Sequence, residues 1–390
     1  MGRATVGRCL VRLVTADTYA SESPSRHAKL AAFSAGAPGL IRNVATQMFV
    51  LDDGEFAFPV SVNDGGARAS GDLANSYVVS PLTAYTGYAD YEIDQLGSAW
   101  LSWPLRALTR VMGKWLIASR IDCVAQVNNW LLSTNVYPSN WLGEGLEEMT
   151  AQLVEAFPDH AIGWRSLNYF SNKGLIERLL ALGYLAIPSR QVYLFDARVE
   201  ATKEFQHRHN TRLDARMLRK TRYQFVSACD LEDSDFERLE HLYNLLYLQK
   251  YCPLNPQFTA EWMRRGHREG WLEIIALRTP EGRIDGVIGW FGSPQILTAP
   301  VVGYDTKLPQ RIGLYRLITQ LCLQEAIRRK CLLNFSSGAA HFKRLRGGHP
   351  EIEYSLVYVA HLSPKRRRVW RVLAAVLQGI GVPLMRKLKL

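Results

Sequence analysis

Two stretches of this chain repeat the same order of strand-like and helix-like patterns. Between residues 44 and 196, and again between residues 223 and 362, short apolar runs typical of β-strands alternate with amphipathic stretches typical of helices. In the first stretch Asp53-Gly54 separates two apolar runs, and this dipeptide favours the tight turn of a β-hairpin. The repeated alternation predicts a mixed α/β fold with two units.

Composition and periodicity divide the 390 residues into five segments. Residues 1–43 are rich in Ala, Ser and Gly and predict an irregular lead-in, 44–200 a first unit, 201–222 a basic connecting helix, 223–362 a second unit, and 363–390 a basic amphipathic tail. In the first unit we expect strands at 48–51, 56–60, 121–127, 161–167 and 190–195, and helices at 100–119, 144–157 and 173–182. In the second we expect strands at 271–277, 284–291, 296–304, 332–335 and 354–360, and helices at 235–250, 313–329 and 339–345.

The positive charge of the chain lies in its second half. The whole chain has a formal net charge of +11, to which residues 1–200 contribute −3 and residues 201–390 contribute +14. Two stretches supply most of the excess, with +5 over residues 203–222 and +8 over residues 365–390. We therefore expect an anionic partner to meet the second half of the chain.

Several protein classes are disfavoured because their characteristic motifs are absent from the sequence. The six cysteines are scattered, without a C-x-x-C pair or a Cys/His cluster, so neither a disulfide framework nor a metal site is expected and a reduced, cytosolic setting fits. The sequence has no Walker loop, dinucleotide-binding glycine motif, H-E-x-x-H or G-x-S-x-G. No uninterrupted apolar run follows the N-terminal arginines, and we expect neither a secretory signal nor a membrane span.

The junction at residues 304–315 is the most informative stretch for function. A predicted strand ends at Tyr304, a short polar loop follows, and a helix begins near Gly313. The first N–H groups of a helix are unpaired and its dipole is positive at that end, so an anion can bind there. Lys307 and Arg311 could add charged contacts to a phosphate. The alternative is an ordinary connection whose glycine only eases a turn.

Within this junction, the sequence QRIGLY at residues 310–315 resembles the pyrophosphate-binding signature Arg/Gln-x-x-Gly-x-Gly/Ala of GNAT acyltransferases, with Tyr315 in place of the last small residue. After the next strand, residues 338–344 are similar to the Gly/Asp-x-x-x-Phe/Tyr-Lys-Arg region of the Fem-type and polysaccharide-associated branch, whose members carry two GNAT-like units. The resemblance covers residues 200–362 and extends to 44–196 as a degenerate copy. It implies an α/β (α+β) fold of two GNAT-like units, each with a mixed, mostly antiparallel central sheet flanked by helices.

The resemblance implies an N-acyltransferase. Such enzymes transfer an acyl group from a coenzyme A thioester to an amine by direct attack, with a general base and an acid for the leaving thiolate, and without a metal. The resemblance assigns the binding of coenzyme A to Lys307, Gln310, Arg311, Ile312, Gly313, Leu314 and Tyr315. The acceptor expected is a lipid, a cell-envelope precursor or a small metabolite. Two alternatives are an aminoacyl-tRNA donor, which the basic stretch 203–222 could favour, and a non-catalytic membrane-associated scaffold.

Position along the chain selects four candidate catalytic residues. Asp305 follows the strand that leads to the junction and is the first candidate for the base, although a residue there also caps turns. Tyr304 or Tyr315 could donate a proton to the thiolate, or simply pack. His341 is a second candidate for the base, with an exposed histidine as the alternative.

Polar side chains at strand ends are the candidates for acceptor binding, because α/β folds usually bind ligands there. In the second unit they are Asn334, Ser336, Lys343 and Arg344, and in the first unit Tyr85, Asn129, Arg165 and Asn168. The same residue types also cap helices, satisfy loop backbone or form a solvated face.

The tail at residues 365–390 has basic clusters on both sides of an apolar stretch. This order resembles an interfacial membrane anchor, in which Trp370 would lie at headgroup depth on the inner face of the membrane. The alternative is a C-terminal helix that docks on the protein and has a charged rim.

Overall fold

The computed structural model describes residues 11–22, 27–65, 75–94, 99–199 and 207–388. Twelve strands of these residues form one continuous sheet in the order β1-β2-β3-β4-β5-β12-β6-β11-β10-β9-β8-β7. They are β1 (Arg12–Thr15), β2 (Gln47–Asp52), β3 (Ala57–Asp64), β4 (Cys123–Val127), β5 (Ala161–Leu167), β6 (Leu185–Asp196), β7 (Gln224–Ser227), β8 (Glu273–Arg278), β9 (Ile284–Gly292), β10 (Ile296–Tyr304), β11 (Leu332–Asn334) and β12 (His349–Tyr358).

Helices cover both faces of this sheet. They are α1 (Ala16–Glu22), α2 (Ala28–Gly36), α3 (Tyr88–Asp94), α4 (Ala99–Ala118), α5 (Leu146–Ala156), α6 (Tyr169–Ala181), α7 (His209–Lys220), α8 (Asp233–Asn244), α9 (Ala260–Arg268), α10 (Leu314–Arg329), α11 (Ala340–Arg344), α12 (Pro364–Val376) and α13 (Val382–Leu388). Turns of wider π-type helix precede α3 at Thr83–Gly87, extend α8 over Leu245–Tyr251, and join α12 to α13 over Leu377–Gly381.

The two units have the same strand order and exchange one strand each. In both units four antiparallel strands are followed by a fifth that pairs in parallel, β4 with β5 and β10 with β11. The long strand β6 of the first half then pairs with β11, and the long strand β12 of the second half pairs with β5. Between them β6 and β12 pair antiparallel at the centre of the sheet. The two α/β units that the sequence predicts are therefore present, and they are joined through shared strands.

The periodic segments match the sequence expectations closely. Strands β5 and β10 have the predicted bounds, and α4 and α10 begin and end within one residue of theirs. The expected irregular lead-in at 1–43 is a correction, because β1, α1 and α2 lie within it and bury Tyr19 and Phe33. Helix α2 is short and Ala-rich, and its buried residues are Leu30, Ala31, Phe33 and Ser34. So few apolar side chains give no clear helical periodicity in the sequence.

The tail packs against the first unit. Trp370 is buried, and it shares a core cluster with Leu116 and Val124, so the headgroup position expected for it is wrong. Arg366 donates from Nε to the carbonyl of Ser119 at 3.1 Å. By length and composition alone, Pro364–Lys387 would be long and apolar enough to cross a membrane, which the sequence analysis did not expect. The packing contacts agree better with the docked helix.

Candidate active site

A groove opens where β10 and β11 separate. The two strands pair in parallel only from Ile296↔Leu332 to Thr298↔Asn334, after which β11 ends and β10 continues to Tyr304. A register shift in the pairing of β10 with β9 lies between Thr298 and Val301, in a segment whose Pro300 has no N–H to donate. Beyond Thr298, β10 still pairs with β9 on one side, but its edge on the β11 side has no neighbouring strand among the described residues.

The groove widens into a cavity of about 240 Å³, which we call the groove cavity. Both units of the chain contribute to its walls. The second unit supplies Leu246, Tyr247, Tyr251, Cys252, Asn255, Ala299, Val302, Tyr315, Ile318, Thr319, Cys322, Phe335, Ser336, Ser337, Gly338, Ala339 and Lys343, and the first supplies Tyr77, Tyr88, Tyr91, Ser133 and Arg190. None of these described residues carries a carboxylate.

The loop after β11 forms one wall of the groove cavity in a strained conformation. Ser336, Gly338 and Ala339 all have positive φ angles, of 60°, 77° and 49°. Asn334 holds the start of this loop, because its Oδ1 accepts the Ser336 N–H at 2.8 Å. The predicted residue Asn334 therefore shapes the loop that carries Ser336.

Lys343 also holds this loop in place through its side-chain ammonium group. Its Nζ donates to the carbonyls of Phe335, Ser336 and Ser337 at 2.7, 3.3 and 2.6 Å. The side chain is buried, and burial, together with the charge of Arg190, lowers the pKa of Lys343 to about 7. Lys343 is thus a positioning residue of the cavity wall and not part of a solvated face.

The start of α10 leaves backbone N–H groups available. A short turn at Gln310–Ile312 leads to Gly313, whose φ is 75°, and no side chain caps the helix. The N–H groups of Leu314, Tyr315 and Arg316 are the first of the helix and have no acceptor within it. Side chains of Lys307, Gln310 and Arg311 are exposed around this helix start. The helix start that the predicted anion site requires is therefore uncapped, and the binding of an anion there stays a prediction.

Helix α7 lies against this start and accounts for part of its sequence. A Cβ on Gly313 would lie 2.8 Å from Sδ of Met217, so the glycine also makes room for α7. Asp214 of α7 is fully buried and accepts from Nε of Arg316 and from Nε of Arg346, each at 2.6 Å. The connecting helix expected at 201–222 therefore has one face packed on α10 and only its other face exposed.

The predicted catalytic residues divide into two pairs. Tyr315 lines the groove cavity, and its ring lies 6.0 Å from that of Tyr304, whose hydroxyl accepts from Lys250 Nζ at 3.3 Å. Burial raises the pKa of Tyr315 well above its usual value, so this hydroxyl keeps its proton. His341 is exposed on α11 and does not line the cavity.

Asp305 lies outside the cavity and has other partners. Its Oδ2 accepts from Arg238 Nη2 at 2.8 Å and its Oδ1 accepts the Lys307 N–H at 3.0 Å. Burial opposes ionisation, but these hydrogen bonds outweigh it and lower the pKa of Asp305. The carboxylate thus holds a turn and an ion pair, and the base role of Asp305 stays a prediction.

The acceptor candidates of the first unit also separate. Asn168 caps α6 by accepting the Ser171 N–H at 2.9 Å, and Asn129 donates to Ser61 Oγ at 2.7 Å, so both are structural. Arg165 and Tyr85 instead line a second cavity, of about 210 Å³, which we call the apolar cavity. In the second unit Ser336 and Lys343 line the groove cavity, whereas Arg344 is exposed outside it.

Sequence reasoning missed a buried polar cluster between the two cavities. Tyr77, Tyr88 and Arg190 line both of them. Arg190 pairs with the buried Glu353, with Nε 2.8 Å from Oε1. Tyr77 shares a hydrogen bond with Ser133 at 2.6 Å. The sequence signals were a single arginine in β6 and two glutamates in β12, and they can be interpreted only once the two strands are known to pair.

One family model and several solved structures resemble this chain. Residues 206–344 match the model of an acetyltransferase (GNAT) domain. Among solved structures, the chain resembles FemX, with 8% identity over 64% of this chain and 82% of that one and a TM-score of 0.47. It also resembles a tandem GNAT protein from the clavulanic acid biosynthesis pathway, with 10% identity over 89% and 98% of the two chains and a TM-score of 0.38.

A further similar structure is the C-terminal domain of a putative lysylphosphatidylglycerol synthetase from Agrobacterium fabrum. It has 12% identity over 59% of this chain and 77% of that chain, at a TM-score of 0.41. No curated protein matches the chain. Likenesses at these identities concern the fold and assign no activity.

Proposed function

We propose that this chain, an acyltransferase with an acetyltransferase (GNAT) domain over residues 206–344, transfers an acyl group from an acyl-CoA to an amine by direct attack. The observation that carries the proposal is the separation of β10 from β11 beside the uncapped start of α10. A thioester needs an open strand edge for its extended arm and unpaired N–H groups for its diphosphate. The open strand edge and the unpaired N–H groups lie on either side of the connection between β10 and α10.

In this proposal the diphosphate of coenzyme A lies against the N–H groups of residues 314–316. Lys307, Gln310 and Arg311 are exposed there and add charged and polar contacts. The pantetheine arm follows β10 through the groove, and the thioester lies in the groove cavity beside Ser336. No metal takes part in the binding.

The reaction forms a C–N bond and breaks the C–S bond of the thioester. The Tyr315 hydroxyl lines the cavity in its protonated form and donates to the leaving thiolate. None of the described lining residues is a carboxylate, so the amine enters neutral or loses its proton to water. Rate should then follow the fraction of neutral amine as pH rises.

A second candidate donor is an aminoacyl-tRNA. Helix α7 exposes Arg208, Arg212, Arg216 and Arg219, and its groove with α10 is also lined by Arg328. This surface adjoins the start of α10 and suits a polyanion. Binding of tRNA with a steep salt dependence, and no binding of coenzyme A, would favour this candidate.

We place the protein in the cytoplasm, at the inner face of a membrane. The five cysteines among the described residues are all free, which suits a reducing compartment. The tail supplies exposed cations for an anionic surface. The acceptor in this setting is a lipid or an envelope precursor, or otherwise a small metabolite.

The test is native mass spectrometry of the full chain purified from bacteria, followed by calorimetry with coenzyme A. We expect a co-purified thioester, or micromolar binding, that Arg311→Gln weakens about tenfold through the loss of one charge-assisted contact. Arg268→Gln is the matched control. Arg268 is exposed and precedes β8 in the chain. The first residue of β8 pairs with Trp290 near one end of β9, whereas Tyr304 pairs with Gly286 near the other end. Equal binding by both variants, or no binding by the native chain, would overturn the proposal.

A further inference from the structure

The apolar cavity lies in the first unit, between α4 and the C-terminal helices. The sheet residues Val124, Gly163 and Val357 form its floor. Leu105, Leu108 and Met112 of α4 form one wall, and Val376, Leu377, Ile380 and Leu384 form the opposite wall. Ile380 lines the cavity and is also 45% exposed, so the cavity reaches the surface there. Its shape and lining suit a hydrocarbon chain.

One end of the apolar cavity is polar and adjoins the groove cavity. Arg165, Ser189 and Ser355 line this end, and Tyr77 and Arg190 are shared with the groove cavity. Arg165 donates to the carbonyl of Val78 at 2.8 Å and to Asn129 Oδ1 at 3.1 Å, both from Nη1. Among the described residues no carboxylate forms an ion pair with Arg165. A guanidinium with no ion-pair partner among the described residues therefore lies at the polar end of a cavity whose helix walls are mostly apolar.

The outer side of α4 has a different character from its cavity side. Trp103, Val111 and Ile117 are 77%, 69% and 62% exposed. At 3.6 residues per turn they fall on the face opposite Leu108 and Met112, together with the exposed Arg110 and Lys114. Large apolar side chains beside cations on one exposed face are typical of helices that lie in a membrane interface.

The C-terminal helices also expose positive charge. Arg368, Arg371, Arg386 and Lys387 are exposed, as is Ile380 at the cavity opening. Neither residues 99–118 nor residues 364–388 contain an acidic side chain. The surface around the opening thus combines apolar anchors with uncompensated positive charge, which is complementary to an anionic bilayer.

We propose that α4 and the C-terminal helices dock on an anionic membrane, and that the apolar cavity takes one hydrocarbon chain of a phospholipid. The chain lies between α4 and the tail, the lipid phosphate pairs with Arg165, and the head group reaches the groove cavity past Tyr77 and Arg190. The head group as acceptor rests on the proposed function. The chain site and the docking face do not depend on it.

The docking face is tested by flotation of the full chain with vesicles of phosphatidylcholine alone or of phosphatidylcholine mixed with the anionic lipid phosphatidylglycerol. We expect binding to the anionic vesicles only. The pair Arg110→Gln and Lys114→Gln should weaken it about 10- to 30-fold, since each basic side chain near the surface contributes on the order of 1 kcal/mol. The control pair, Arg268→Gln and Arg328→Gln, removes two exposed arginines from other faces and should leave flotation unchanged. Equal flotation by the two pairs, or a chain that resists alkaline extraction as a spanning helix does, would overturn the docking.

The chain site is tested by the lipid that stays bound after vesicles are removed by gel filtration. We expect about one phospholipid per chain, and a loss of at least tenfold in Leu108→Trp, whose side chain fills the cavity. Leu180→Trp, the same change at an exposed leucine of α6, should keep its lipid. Unchanged retention in a folded Leu108→Trp, or retention of free fatty acid without phospholipid, would overturn the site. The retention assay contains no coenzyme A, so its result does not depend on the proposed donor. If the chain keeps its lipid but does not bind coenzyme A in calorimetry, the proposed transfer is refuted and this inference stands.

Discussion

Replacing Gly313 with alanine separates two reasons for a glycine at the start of α10. One reason is internal, because φ is 75° and a Cβ would lie 2.8 Å from Sδ and 3.2 Å from Cε of Met217. The other is the close approach of a diphosphate to the helix start. From the sequence, Gly313 is either a ligand contact or a residue that eases a turn, and the contact with Met217 adds a packing role, so the substitution also affects the fold.

The cost to stability can be worked out with a matched pair. A left-handed alanine costs about 1–2 kcal/mol, of which about 0.4–1 kcal/mol is regained from the less flexible unfolded chain. Gly282→Ala meets only this cost, since φ there is 90° and no atom lies within 4 Å of the added Cβ. Gly313→Ala should lose more stability than Gly282→Ala. The extra loss should disappear when the double variant Gly313→Ala/Met217→Ala is compared with Met217→Ala alone. Chemical denaturation of the four variants measures the coupling.

Ligand binding then isolates the second reason. A methyl group at position 313 that displaces the diphosphate from one N–H removes a charge-assisted hydrogen bond of about 1.5–3 kcal/mol, or roughly 10- to 100-fold in the Kd of coenzyme A. This loss should persist when Met217→Ala relieves the contact, and Gly282→Ala should bind normally. Binding by the double variant within twofold of Met217→Ala alone would refute the diphosphate site at this helix start.

Two further predictions concern the ionisable groups near the groove. Lys343 has a pKa of about 7 in the folded state against 10.5 when unfolded, so the unfolded state binds more protons between these values. The melting temperature of the native chain should therefore rise with pH from 7 to 10 relative to Lys343→Met, and parallel curves would contradict the burial argument. Asp305→Asn should keep kcat at neutral pH, because the carboxylate lies outside the cavity. Its loss of the bond to Arg238 should appear as lower stability at neutral pH. The difference from the native chain should begin to shrink as pH falls below the unfolded pKa of 3.8 and disappear as pH falls through the lower pKa of the folded state, and a large fall in kcat would support the base role.

The elements that could be predicted from the sequence are those with a strong local pattern. Strand β10 is a buried apolar run bounded by turn residues, and α10 has an apolar period and a glycine before it, so both had correct bounds. The exchange of β6 and β12 could not be predicted, because an apolar strand of either unit fits any neighbouring strand. The surroundings of the predicted site residues could not be predicted for a related reason. Asn168 and Ser336 both follow strands, but only the folded chain shows that one caps a helix and the other lines a cavity.

The exchanged strands make the first unit part of the reaction site. Arg190 lies on β6 opposite Glu353 on β12, and their ion pair joins the two shared strands at the centre of the sheet. Arg190 Nη2 donates to Thr134 Oγ1 at 2.7 Å, and Thr134 Oγ1 donates to Ser336 Oγ at 3.3 Å. A continuous set of hydrogen bonds thus runs from the shared strands to the strained loop of the groove cavity. Removing one partner of such a buried pair costs about 3–5 kcal/mol, so the loop depends on residues far away in sequence. The first unit lacks the diphosphate motif, yet it positions the loop beside which we propose that the acyl group is transferred.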